Sequence, residues 1–457
     1  MRTKDVNMLS GSITRGLMLI TAPVMITNVI QSLFNIVDMM VLKAFDTDGM
    51  AVGAVGVCGA QTGLISLLLA GLASGANVVI ATYLGKRDQE RVDRCVGACV
   101  SFSVLFGLLF AIVGIACSHL VLTWTKCPPE LFSRALLYFR LYLAGAPALM
   151  LYQVSTNALR ASGNSRTPMT ISLTCGAGKI ACSLLMVSTF RMGVLGVALA
   201  TVLSWVAMAV WGLLCLIRTR SSVRLCAQHL RLYRPELPQV LRVGFPAGLQ
   251  MVLMSSANVA ITAAVNTFGA QAATGVSIAN NYDGLLYNLC SATSFAVMPY
   301  VSQNIGAGNV KRADCSVRQG IALTAALGLF FGLLSAFLAV PLSSLMSSDP
   351  VVIDYSRQKM IIISSTYFIC GINDIFAGAL RGMGHPTFPT ITSLIFMCGM
   401  RFFGVYAVFP LFPNLTFLYL VWPITWIACI LCALPVYFHA KQHLENYHCG
   451  HPVGTIK

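Results

Sequence analysis

From Gly16 to His439 the chain alternates long apolar runs with short polar breaks, and the runs share one length scale. A helix needs about 20 residues to cross a bilayer at 1.5 Å per residue. Twelve runs meet that need: 16–42, 51–80, 95–117, 132–155, 167–189 and 193–217, then 237–264, 272–300, 317–340, 353–377, 388–410 and 415–438. The pattern predicts an all-α integral membrane protein with twelve transmembrane helices. The first run is too long for a cleavable signal peptide and carries Asn28, Gln31, Asn35 and Asp38, so it is expected to stay as a membrane helix.

The two sets of six are copies. "ALRASGNSRTP" at 158–168 returns as "ALRGMGHPTFP" at 379–389, placing Arg160 and Arg381 221 residues apart (381 − 160). At the same offset Ala51 meets Ala272, Gly107 meets Gly328, Ser172 meets Ser393 and Trp205 meets Trp426. Earlier in each half the offset is 223, matching Pro23 to Pro246 and Asn35 to Asn258. The expected organisation is an N-terminal six-helix lobe over 1–217, a basic cytoplasmic linker over 218–236, a C-terminal six-helix lobe over 237–440 and a tail over 441–457. Six crossings return the chain to its starting side, so the lobes share one orientation and are related by a pseudo-two-fold axis along the membrane normal. Each copied segment is read as the cytoplasmic turn between the fourth and fifth helices of its lobe. Arg160 and Arg381 hold the interface, Gly163 and Gly384 permit the turn, and Pro168 and Pro389 sit in the first turn of the next helix.

Composition agrees with this reading: 57% of the 457 residues are hydrophobic and only 10% charged, too apolar for a water-soluble domain. A net charge of +15 suggests nucleic acid in a soluble protein, but the cations fall in alternate loops. Lys86, Arg87, Arg91, Arg94, Arg160, Arg166, the run from Arg218 to Arg242, Lys311, Arg312, Arg318 and Arg381 mark those loops, and both termini, as cytoplasmic. No nucleic-acid partner is expected; membrane lipids are, and Arg218 to Arg242 can bind anionic headgroups. Most of the sixteen cysteines sit singly in apolar runs as small hydrophobes. Cys429 and Cys432 form one CxxC without a second pair, and the tail carries His439, His443, His448, Cys449 and His451; no metal site is assigned.

Polar groups inside the membrane carry the chemistry, because an ionisable side chain there costs at least about 2.5–3.5 kcal/mol. Asn28, Gln31, Asn35 and Asp38 step by three, four and three along one helix face, downstream of Pro23, which can bend the helix. The C-terminal half places Asp283 beside Asn280, Asn281, Tyr287 and Asn288, and Asp374 two turns after Tyr367. Ser255, Asn258, Thr262 and Asn266 share a face of the seventh helix, as lining or as packing. Lys179 and Arg401 are the two buried cations read from the sequence, each able to pair with a carboxylate, the reading favoured for Arg401. There is no phosphate-binding GxxxxGK[ST] loop and no nucleophile–base set, so neither ATP hydrolysis nor enzyme activity is expected. An ion gradient remains as the energy source, since one charge crossing 100 mV yields about 2.3 kcal/mol.

With the paired turns, "SQNIGAGNVKRAD" at 302–314 and "MGVLGVALAT" at 192–201, nearly the whole chain resembles the multidrug and toxic compound extrusion family of bacterial type. The resemblance implies two lobes around a central cavity and a functional monomer in the bacterial inner membrane. It also implies export of drugs or organic, often cationic, metabolites by alternating access, in exchange for protons or sodium and without another cofactor. Asp38 then corresponds to the family's first-helix carboxylate, at which ion binding bends the helix, and Asp374 and Tyr367 to its tenth-helix site. Two departures stand out: the seventh helix has no carboxylate, and the fifth-helix Asn and Asp of other members are here Lys179 and Ser183. If Lys179 faces the same cavity, its ammonium can occupy the place of the coupling cation or pair with Asp38; this disfavours sodium there and points to proton coupling, or to a substrate other than a simple organic cation. A flippase for lipid-linked oligosaccharide or another amphiphile is the alternative reading. A non-transporting receptor would not need Asp38, Asp283 and Asp374.

Overall fold

A computed structural model describes residues 6–45, 50–125, 127–218 and 222–448. In chain order the helices are α1 (Ile13–Phe45), α2 (Met50–Gly85), α3 (Gln89–Trp124), α4 (Pro129–Ala144), α5 (Ala146–Ala161), α6 (Arg166–Ser188) and α7 (Gly193–Arg218). They continue with α8 (Leu237–Asn266), α9 (Ala270–Gly306), α10 (Val310–Phe337), α11 (Ala339–Ser344), α12 (Pro350–Gly382), α13 (Thr387–Thr392), α14 (Met400–Phe403) and α15 (Leu415–His448). Two π-helical stretches, Ser393–Gly399 and Gly404–Val408, link α13 through α14 into one span.

Ten helical segments are long and apolar enough to cross a bilayer among the described residues, and α4 with α5 makes an eleventh, bent by 42°. The twelfth is α9, which reaches 37 residues but carries Asn280, Asn281 and Asp283 in its middle. Helices are the expected solution, since hydrocarbon offers no partner for a free backbone group. Their outer faces are apolar: Leu109, Ile112, Phe330 and Phe337 all lie exposed.

Packing divides the chain into two compact units. One holds Val6, Ile26–Leu84 and Asp88–Gly248; the other holds Asn7–Met25, Gly85–Arg87 and the chain from Leu249 onward. The boundary inside α1 follows Met25 and that inside α8 follows Gly248, 223 residues apart (248 − 25), each two residues past its proline, Pro23 or Pro246. The units thus cut through the two equivalent helices, where the sequence halves meet in a loop. In the first unit α2 lies on the start of α8: a Cβ on Gly71 would fall on the backbone of Gly248, and one on Gly75 on that of Val240 and Gly244. In the second, Arg312 donates to the carbonyls of Met8 (3.0 Å) and Gly11 (2.9 Å), holding the segment before α1.

Within each unit the duplication is visible at atomic detail. Residues 159–164 close α5 with Gly163 N–H to Arg160 O (2.9 Å) and Asn164 N–H to Leu159 O (3.1 Å). The same pair closes α12, from Gly384 to Arg381 (3.2 Å) and from His385 to Leu380 (2.9 Å). Gly163 and Gly384 have φ of 88° and 91°, the left-handed conformation this helix-ending motif demands. Pro168 and Pro389 follow as third residues of α6 and α13. A second such turn closes α2 and α9, but there Arg87 (φ 57°) stands where its counterpart is Gly308 (φ 76°). Close approaches repeat as well. A Cβ on Gly107 would lie 2.5 Å from Pro147 Cα, and one on Gly328 2.7 Å from Phe368 Cα.

Gly107→Ala and Gly328→Ala should each destabilise the protein by about 1–3 kcal/mol, since backbone must move to admit the methyl; thermal unfolding in detergent measures this. In the same assay Gly163→Ala should cost about 1–2 kcal/mol, whereas Arg87→Gly should relieve strain and be neutral or stabilising.

Candidate functional site

The first unit builds its site where α1 meets α6. Phe34 of α1 packs onto Gly176, where any Cβ would collide with the ring. One turn further on, Lys179 Nζ reaches Asp38 Oδ2 at 2.5 Å, with both side chains only about a tenth exposed (13% and 11%). Without a side chain at 176, the helices come close enough for the pair to form. The other oxygen, Asp38 Oδ1, is buried and accepts no hydrogen bond. Tyr138 of the neighbouring apolar cluster lies near the carboxylate, and the ammonium is the charge that compensates it. Such a pair is no stability device by itself, but removing one partner strands a buried charge.

Gln31, two turns before Asp38, donates to Ser172 Oγ of α6 at 3.4 Å, and that hydroxyl also meets Tyr152 of α5. Gln31 and Asp38 therefore both face α6, as the polar stripe predicts. The side chain of Asn35 lies outside the described residues. Ser183, at the other position where the family carries a polar partner, is buried with no hydrogen bond to its hydroxyl.

In the second unit Asp283 of α9 pairs with Lys359 of α12 at 2.9 Å, and the lysine is 1% exposed. Asn280 also accepts from Lys359, and Ser364 donates to Asp283 Oδ1 at 3.4 Å. Asn281, expected beside Asp283, turns away and donates to the Ser277 carbonyl of its own helix. Tyr367 packs beside Trp426, ring centres 5.5 Å apart and planes tilted by 46°. The charge facing Asp374 is Arg381, whose Nη2 donates to Gln250 of α8 at 2.5 Å. Gln250 passes the link to Ser393 at 2.8 Å. The turn arginine thus ties α12 to α8 and to the π-helical stretch.

Lys359 is the buried cation that sequence reasoning missed. It lies inside the predicted 353–377 span, two turns before Tyr367 on the stripe that continues to Asp374, a position from which its burial could have been read. Arg401 also departs from expectation. No carboxylate pairs with it among the described residues; Nη1 donates to Asn258 (2.8 Å), Nη2 to Thr425 (3.5 Å), and Nε is buried without a partner. Asn258 is thereby a contact of α8 with the eleventh span. No group of three or more metal-binding side chains occurs among the described residues, which exclude Cys449 and His451.

Comparison with known proteins places this architecture. The MatE family model matches residues 23–180 and 246–406, one match in each half. A probable multidrug resistance protein of Bacillus subtilis, YoeA, is 25% identical over 400 residues, covering 85% of this chain and 86% of its own. An FAD transporter of Shewanella oneidensis is 30% identical over 266 residues, 56% of this chain and 58% of its own. The solved structure of a MOP-superfamily transporter from Pyrococcus furiosus, for which reversed polarity of the binding pocket suggested a different function, aligns with a TM-score of 0.87 at 20% identity. It covers 97% of this chain and 98% of that one. With twelve spans, two matching halves and a family model over most of its length, the chain belongs to the MatE family of membrane transporters.

Proposed function

We propose that the protein is a secondary active antiporter, acting as a monomer in the bacterial inner membrane with both termini cytoplasmic. It exports drugs or organic metabolites by alternating access, in exchange for protons. The observation that carries the reading is the Asp38–Lys179 pair at 2.5 Å. A sodium ion needs several oxygen ligands in the place where this structure puts an ammonium, so sodium binding at Asp38 would have to expel Lys179. A proton needs no such room. Protonation neutralises Asp38, breaks the pair and leaves α1 free to change its curvature near Pro23, where the backbone ladder already lacks one N–H.

Each half of the cycle then has a defined charge state. With Asp38 ionised, the pair is closed and the buried charges cancel. With Asp38 protonated, Lys179 is an uncompensated cation, a state costing about 3–5 kcal/mol unless water or another anion reaches it. A proton entering down 100 mV supplies about 2.3 kcal/mol, equivalent to a substrate gradient of roughly fiftyfold. Names of relatives, a multidrug resistance protein and an FAD transporter, support a small-molecule cargo spanning drugs and metabolites.

The test is dye efflux from proteoliposomes under an imposed pH or sodium gradient. Native protein should respond to the pH gradient and not to sodium, and Asp38→Asn should cut pH-driven efflux at least about a hundredfold. Lys179→Asn should vacate the cation position and introduce a sodium response. Efflux by native protein that follows sodium alone, undiminished when the pH gradient is collapsed, would overturn proton coupling.

A further inference from the structure

Arg401 poses a charge problem that the second unit does not solve internally. The side chain is 1% exposed, and arginine cannot escape burial by losing its proton. Buried charges are ordinarily matched by an opposite charge. Among the described residues no carboxylate of the unit pairs with Arg401: Asp283 meets Lys359, Asp314 meets Arg318 and Lys441, Asp354 meets Arg357, and Asp349 at the start of α12 meets Gln271. Asp374 faces Arg381, and Glu445 lies near Tyr437. The titratable groups that do face Arg401 are Cys370, Cys398, Tyr367 and Cys429, thiols and a phenol that are neutral in ordinary conditions.

The surroundings deepen the excess. Lys359 Nζ and Arg401 Cζ both lie over the Trp422 indole, at 5.6 and 5.7 Å from its centre. Two cations share that ring, and one carboxylate, Asp283, answers them. A positive charge is left over inside the bundle. Independently, the backbone is unusual at this residue. Arg401 sits on the four-residue α14, with a π-helical stretch on each side, and π-helical insertions in helices concentrate at functional sites. A purely structural arginine would explain neither the unanswered charge nor the widened turns that bracket it.

We propose that the transported molecule carries an anionic group, a carboxylate, phosphate or sulfonate, which Arg401 receives over the Trp422 indole while Asn258 and Thr425 hold the guanidinium in place. The proposal rests on the transport reading above and names the substrate class for it: organic anions, where the sequence resemblance points to cations. The guanidinium fork suits planar oxyanions, and the indole offers an apolar plate for the body of an aromatic anion. Hydration of the core during alternating access is what would open this place to a solute.

The experiment uses two dyes of similar size and opposite charge, carboxyfluorescein and rhodamine 123, with purified native protein. Fluorescence polarisation in detergent reads binding, and efflux from proteoliposomes reads transport. Native protein should bind and move carboxyfluorescein in preference to rhodamine 123. Arg401→Gln should weaken carboxyfluorescein binding at least about tenfold, with Arg401→Lys restoring part of it. Preference of native protein for rhodamine 123 overturns the proposal, as does native-like carboxyfluorescein binding by an Arg401→Gln variant that elutes as a single species. Binding without efflux upholds the anion site and sinks the transport reading instead. A further arm separates dissolved from lipid anions by following fluorescent phosphatidylglycerol and phosphatidylcholine across the same vesicles. Selective movement of phosphatidylglycerol assigns the site to an anionic lipid; indifference to every anion, in binding and in movement, overturns it.

Discussion

An ionised side chain surrounded by hydrocarbon is tolerated only where opposite charge or hydrogen bonds reach it, and the two units satisfy this requirement in different ways. The first matches one carboxylate to one ammonium, Asp38 to Lys179. The second matches Lys359 to Asp283 and leaves Arg401 with amide and hydroxyl partners only. In the first unit the pair cancels its own charge, and the proposed proton exchange rests on that. In the second, the proposed anion site rests on the lack of a carboxylate partner for Arg401 among the described residues.

The scaffold that carries these charges is symmetric, while the charges are not. Turns, close helix approaches and unit boundaries repeat at offsets of 221 or 223. At those offsets the counterpart of Asp38 is Ile261, that of Lys359 is Tyr138, and that of Asp283 is Thr62. Duplication preserved backbone contacts, where a glycine such as Gly107 or Gly328 admits no added atom. It left the polar positions free to diverge, since an interior side chain can be replaced wherever its partner changes with it. Two copies of one bundle thereby hold different buried polar groups.

Proline and glycine serve different ends in this arrangement. Pro23 and Pro246 weaken α1 and α8 beside the places where each helix passes from one compact unit to the other. Gly163 and Gly384 instead make the turns after α5 and α12 rigid, by accepting a backbone conformation that other residues enter only at a cost.

Twelve spans, their order, the duplication, the turn glycines and the stripe from Gln31 to Asp38 were all legible from the chain alone, because hydrophobic period and helix geometry are local properties of a segment. Which charges meet was legible only for Lys179, whose pairing with Asp38 was one of two alternatives that the family resemblance left open. Periodicity places a residue on a face of its own helix, but pairing depends on how neighbouring helices are rotated and how near they approach. Gly176 lets α1 close on α6, so Lys179 finds Asp38. Lys359, inside the predicted 353–377 span, meets Asp283 and Asn280 on α9, and Asn281 faces away one position along. Arg401, which the chain suggests is one of a pair, has no carboxylate partner among the described residues and meets Asn258 and Thr425 instead, since tertiary packing alone decides how far apart two charges stand.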